Sequence, residues 1–261
     1  TSQGKISGTV TSLNYYAPTT YKIKIIGSAR IGSKVCYSNT FTLSMENNPL
    51  PDTVYNVDTN NTLLGFKEGI DLSQYDGVCN TMQIPYEVET VADKVFEGKI
   101  PSFIKNLIFT ENSKCTLIGK SCFQWIPATS VTLPRGLTTI DTNAFLFNNF
   151  SSVDLSNCRA LTTINQGAFA RTETLKSITL PKSITTIGPM CFLSCTSLNE
   201  IKWDLPTNYQ TSITIDDNDS FNDISSSGTV ESLNTSVASS QQLLNWIKTK
   251  GGFPSTGWRA A

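Results

Sequence analysis

The side chains able to do chemistry in this sequence are chiefly carboxylates and thiols, because its 261 residues include no histidine. That removes the commonest general base, the commonest metal ligand and every Ser–His or Cys–His nucleophile pair. Paired carboxylates remain able to serve glycoside hydrolysis. The densest acidic group is Asp216-Asp217-Asn218-Asp219 with Asp223. Read as a Ca²⁺ loop, it lacks the central Gly and closing Glu of an EF-hand, and a solvated turn accounts for it more simply. Seven cysteines (36, 79, 115, 122, 158, 191 and 195) contain no Cys-x-x-Cys pair, so zinc is not expected. An exported chain could oxidise them, the odd count leaving one free. Reduced, buried thiols are the better account, since free Cys packs as a small hydrophobe. No catalytic residue, metal ligand or cofactor is therefore assigned, and the expectation is a chain that is not an enzyme.

Composition excludes further classes. The net charge is −1 and only 16% of residues are charged, which leaves no electrostatic footprint for nucleic acid or an anionic membrane. Ser, Thr and Asn make up about a third of the chain and must supply its surface. No apolar run approaches the roughly 18 residues of a membrane span. The chain starts at Thr1, so the expectation is an exported protein whose targeting segment lies outside this sequence.

What would position any of these groups is a repeat. An aliphatic residue followed five positions later by Phe recurs as Val91/Phe96, Ile118/Phe123, Ile140/Phe145, Ile164/Phe169 and Ile187/Phe192. From the second pair onward the Phe residues follow one another by about 22–24 positions, inside the roughly 20–29-residue period of leucine-rich repeats. The residue before each Phe is Val95, Cys122, Ala144, Ala168 or Cys191, small or slim, as close coil-to-coil contact requires. Between the pairs lie Val131-Thr-Leu133, Val153-Asp-Leu155, Ile178-Thr-Leu180 and Ile201-Lys-Trp203. Period-two alternation turns their apolar residues inward and places Thr132, Asp154, Thr179 and Lys202 on the outer face of a parallel sheet. Pro134 and Pro181 follow two of these strands, where a missing N–H costs no ladder bond. Ser194–Leu198 is too short for a long helix and is expected as a helical turn or 3₁₀ piece.

Leu133-Pro-Arg-Gly-Leu-Thr-Thr-Ile-Asp-Thr-Asn-Ala-Phe145 and Leu180-Pro-Lys-Ser-Ile-Thr-Thr-Ile-Gly-Pro-Met-Cys-Phe192 resemble the LPxxLTxIGxxAFxxCxxLxxI repeat of BspA-type leucine-rich surface proteins. Cys195-Thr-Ser-Leu198 and Cys158-Arg-Ala-Leu161 match that family's cysteine position. The resemblance is dense from about 80 to 205, looser from 65 to 81, and departs at 101–114, where the second coil carries extra residues. It implies adhesion or partner binding at a cell surface and carries over no catalytic residue.

The domain reading follows. Residues 1–47 are a β-rich segment, with strands over 4–10, 20–26 and 36–45, that resembles the last strands of a bacterial Ig-like module. Three strands are too few to close a sandwich. Residues 48–62 read as a linker, 63–230 as the repeats, and 231–261 as a helical cap and tail. In the cap, Ser239 and Gln242 form a capping box, Leu243, Leu244, Trp246 and Ile247 a stripe, and Gly251 stands at the C-cap. The fold class is thus a mostly β leucine-rich-repeat solenoid: one parallel sheet, irregular or short-helical returns, an N-terminal β segment and a C-terminal capping helix. Trp125, beside Phe123 and Ile126, is more simply a core residue than an exposed anchor. The outward Thr132, Asp154, Thr179 and Lys202 fit a glycan or flat protein surface as well as an inert solubilising face. The expected function is an extracellular interaction module that adheres to a protein or glycan. The alternatives are a structural spacer without its own ligand and, less favoured, a carbohydrate-active enzyme.

Overall fold

Thr-Thr-Ile, at 138–140, 162–164 and 185–187, or a close variant of it is the smallest unit from which the coils are built. The two-residue strands Thr90–Val91, Leu117–Ile118, Thr139–Ile140, Thr163–Ile164, Thr186–Ile187 and Thr214–Ile215 stack in parallel and in register. Each buries its aliphatic residue. The Thr preceding the strand caps the ladder: Thr138 and Thr162 donate their hydroxyls to the carbonyls of Thr116 and Thr138, at 2.8 and 3.3 Å, one coil back. With Thr62–Phe66 and Tyr55–Val57 these strands complete a sheet of eight.

The computed structural model describes residues 29–31, 34–36, 49–110, 112–216 and 219–261. The chain divides into two units, Thr1–Glu46 and Asn47–Ala261. In the first, Ala29–Ile31 and Lys34–Cys36 pair antiparallel; the strands expected over 4–10 and 20–26, and all of 36–45 but Cys36, lie outside the described residues. Residues 49–62, where the sequence suggests a linker, instead fold against the first coil. The Leu50 N–H donates to Thr81 O at 2.8 Å, Leu50, Val54 and Tyr55 are buried, and Tyr55–Val57 pairs antiparallel with Thr62–Phe66.

A second strand set completes each coil. Thr81–Ile84, Asn106–Phe109 and Ser130–Thr132 form a three-stranded sheet; Ser152–Asp154, Ser177–Leu180, Glu200–Trp203, Gly228–Ser232 and Trp258–Ala260 form one of five. All these pairs are parallel. The solenoid thus has parallel sheets on two sides of its core rather than one, and the sheet anticipated at Val131–Leu133 and its equivalents is split between Ser130–Thr132 and Ser152–Asp154. Two-residue strands cannot show alternation along the sequence, so only their stacking reveals the other sheet.

The returns are short turns, within the irregular or short-helical returns expected, and not 3₁₀ pieces. Residues two before and two after each Phe have positive φ: Asn143 (56°) and Phe147 (59°) around Phe145, Met190 (56°) and Ser194 (56°) around Phe192. That geometry aims alternate N–H groups at the next coil. Asn143, Phe145 and Phe147 donate to the carbonyls of Gln166, Ala168 and Ala170 at 2.8, 2.8 and 3.0 Å. Inside this frame Phe96, Phe123, Phe145, Phe169, Phe192 and Phe221 are all fully buried. Their rings stack 5.4–5.8 Å apart at 5–17°. Phe66 closes one end of the column edge-on, and Phe253 the other.

The helix Ser240–Ile247 has its capping box as expected and buries Leu243, Leu244 and Ile247. It packs on Gly228–Ser232 and Trp258–Ala260, while Trp246 meets Trp203 and Tyr209 edge-on. The cap residue is Lys248 rather than Gly251; the left-handed position is Gly252 (φ 74°), where a Cβ would stand 2.7 Å from the Asn222 backbone nitrogen.

Candidate functional site

Three surfaces hold the residues singled out by sequence. The first is the outer face of the five-stranded sheet. Asp154, Thr179 and Lys202 lie side by side there, with Glu231 next in the row. Lys202 Nζ stands 3.3 Å from Glu200 Oε1 and 3.7 Å from Glu231 Oε2. The hydrogen bond to Glu200 leads the effects that raise the Lys202 pKa above its ordinary value. Asp154 accepts the Ser156 N–H at 2.9 Å. The charged groups of this face are engaged with one another or with its own turns.

Thr132 does not join that row. Its strand ends at the break between the two sheets, and a cleft of about 300 Å³ opens there. Thr132 and Arg135 line it from one coil, Asn157 and Arg159 from the next, over Phe109 and Leu133. Phe109 is fully buried and Leu133 nearly so.

The third surface is an aromatic step. Trp125 is 58% exposed, not the core residue that its apolar neighbours suggested, and Phe147 is 37% exposed. Their ring centroids lie 4.9 Å apart, and the Arg171 guanidinium carbon sits 5.4 Å from the Phe147 ring, within cation–π range. All three occupy the position two residues after the spine Phe, with φ of 61°, 59° and 55°. At the same position on other coils stand Gly98, Ser194 and Asp223. Buried Asn148 fixes the Trp125 backbone: its Oδ1 accepts the Ile126 N–H and its Nδ2 donates to Phe123 O, both at 3.0 Å. Left-handed geometry is unfavourable for residues with a large Cβ substituent. The left-handed backbone is common to every coil, but the exposed apolar area of Trp125 and Phe147 at this position is something that core formation does not explain. Phe147 and Arg171 were missed in the sequence. Aligning Trp125 with Gly98 two places after each Phe would have exposed the slot.

A BspA type leucine rich repeat region is matched in six copies, over residues 74–199 and 116–245. The chain belongs to that family. Its fold is shared with the pneumococcal vaccine antigen PcpA (TM-score 0.54, 16% identity), over 80% of this chain and 48% of that one, so the chain spans about half the length of the pneumococcal protein. It is also similar to the T. pallidum leucine-rich repeat protein TpLRR (TM-score 0.46, 20% identity, 61% of this chain and 72% of that one). A leucine-rich repeat protein of Bacteroides ovatus matches at TM-score 0.26 and 18% identity, over 69% of this chain and 64% of that one. The sequence matches no curated protein.

In this BspA-type chain Cys79, Cys115, Cys122, Cys158, Cys191 and Cys195 are buried and unpaired; the Cys36 side chain lies outside the description. Burial pushes the Cys115, Cys158 and Cys195 thiols up to about 12, and Cys122 and Cys191 well above their ordinary value. Cys158 and Cys195, matched to one position in the sequence, occupy two. Cys195 lies three residues after Phe192 and donates to Phe169 O at 3.2 Å, the role of Asn148 toward Phe123. Cys158 instead precedes the short strand Thr163–Ile164. Of the acidic run, positions 217 and 218 lie outside the described residues. Among the described residues no cluster of three or more Cys, Asp or Glu could hold a metal ion, and no helix is long and apolar enough to cross a membrane.

Proposed function

We propose that this chain is a non-enzymatic interaction module of a cell-surface or secreted protein, adhering to a host or neighbouring-cell protein or glycan through its repeat surface. The observation that carries the reading is the aromatic step. Trp125 and Phe147 stay exposed in backbone conformations that favour Gly or Asn, and Trp and Arg are the residue types enriched in binding hot spots. The similar pneumococcal protein is a vaccine antigen, which agrees with a surface location. Asp154, Thr179 and Lys202 remain a polar row of the five-stranded sheet in this reading, and Thr132 belongs to the cleft.

Binding of the purified chain to extracellular-matrix proteins and glycans, beside Trp125→Asn and Phe147→Asn variants, tests this. Each variant should lose about tenfold or more in affinity, on the order of 1.4 kcal/mol. Folding stability should stay level or rise, because Asn accepts the left-handed turn. Undiminished binding by both variants would remove the step from the account. No binding by the wild-type chain would favour the spacer.

A further inference from the structure

The cleft at the break in the sheet pairs two unneutralised cations with neutral donors and an apolar floor. Among the described residues neither guanidinium, Arg135 nor Arg159, has an ion pair or hydrogen bond, and no described carboxylate lines the cleft. Asp154, on the adjoining strand, is turned to the Ser156 N–H instead. Guanidinium forks match a carboxylate with paired charge-assisted hydrogen bonds. The Thr132 hydroxyl and Asn157 amide, likewise unpaired among the described residues, offer a donor–acceptor set suited to hydroxyl groups. Leu133, 6% exposed, gives the floor a small apolar edge for a ring's C–H face, with the fully buried Phe109 beneath it. A volume of about 300 Å³ stands at the lower end of small-molecule pockets, room for one ring rather than a chain.

We propose that this cleft binds a carboxylate-bearing sugar residue, a uronate or sialate, of an acidic glycan. Its charge engages Arg135 and Arg159, and its hydroxyls engage Thr132 and Asn157. A bare phosphate would use only the arginines; an acidic peptide side chain would leave the floor and the neutral donors unused. The site is separate from the aromatic step and stands whether or not that step binds a protein.

The test is calorimetric titration of the whole chain with sodium glucuronate, sodium galacturonate and N-acetylneuraminate. The neutral methyl esters, glucose and triglutamate serve as comparisons. At least one free carboxylate sugar should bind saturably near the millimolar range and weaken with salt. Arg135→Gln and Arg159→Gln should each cost about tenfold, with thermal unfolding unchanged because both side chains are exposed. Thr132→Val should cost several-fold, and Trp125→Asn nothing, which separates this site from the step. Equal binding of the esters or glucose, equal or tighter binding of triglutamate, or no saturation up to about 50 mM would each overturn the proposal.

Discussion

Replacing Phe169 with Ala attacks the column that holds the coils in register. Phe169 is fully buried, with Phe145 centred 5.4 Å away on one side and Phe192 5.8 Å away on the other. A core Phe truncated to Ala ordinarily costs about 3–5 kcal/mol, the spread reflecting how far the site can collapse. Here the void is bounded by two stacked rings whose backbones are tied to the next coils, through Phe145 N–H to Ala168 O at 2.8 Å and Phe192 N–H to Ser220 O at 2.9 Å. Collapse is hindered, and two ring pairs worth roughly 0.5–1.5 kcal/mol each go with the side chain. The cost should therefore fall at the upper end, about 4–5 kcal/mol. With a urea m-value of about 2–3 kcal/mol/M, the midpoint should drop by about 1.3–2.5 M. Amide exchange should rise in the coils of Phe145 and Phe192 as well, because solenoid stability resides in nearest-neighbour interfaces. Phe169→Leu retains volume without the ring and should recover about half the loss. A cost below about 1 kcal/mol, or faster exchange confined to the mutated coil, would refute the column as the unit of stability.

Thiol titration of denatured, unreduced protein should find about seven free groups, and native protein should react with few of them; one or three groups after denaturation would mean disulfides. Stability should fall as pH rises above 9: Cys115, Cys158 and Cys195 hold their protons to about 12 when folded but ionise near 9.0 when unfolded. A raised folded pKa contributes stability that is complete below the unfolded value and lost on the way to the folded one. Thermal unfolding between pH 8 and 11 should show that decline, shallower in Cys122→Ala, since Ala144 and Ala168 already fill that place on other coils; a flat profile would contradict it. Deleting 239–261 removes Phe253 from the spine's end and Trp246 from Trp203. It should produce aggregation by light scattering before loss of far-ultraviolet β signal, and a monomeric product with unchanged melting temperature would show that the helix is no cap.

The sequence by itself determined the solenoid, because each coil repeats the same demand: an inward aliphatic, a slim residue, then Phe. Steric need at a stacked interface recurs at fixed spacing, so the Phe column and the inward Ile201/Trp203 alternation were legible. So were the capping box of Ser239 and Gln242 and the small-hydrophobe cysteines. Tertiary structure alone decided the rest. Two residues per strand carry no period, so the second sheet exists only through coil-to-coil pairing. Residues 49–62 look like a linker by composition, yet Leu50 and Val54 are buried because an open first coil must be covered. Trp125 has apolar sequence neighbours but a left-handed backbone, fixed by Asn148 from the next coil, which turns it outward. The cleft required a ladder to break between two particular coils, bringing Arg135 and Arg159 together across 24 positions of sequence. Repeats specify what every coil shares; the surfaces proposed for binding are places where one coil departs from its neighbours, and that departure acquires meaning only once the coils are stacked.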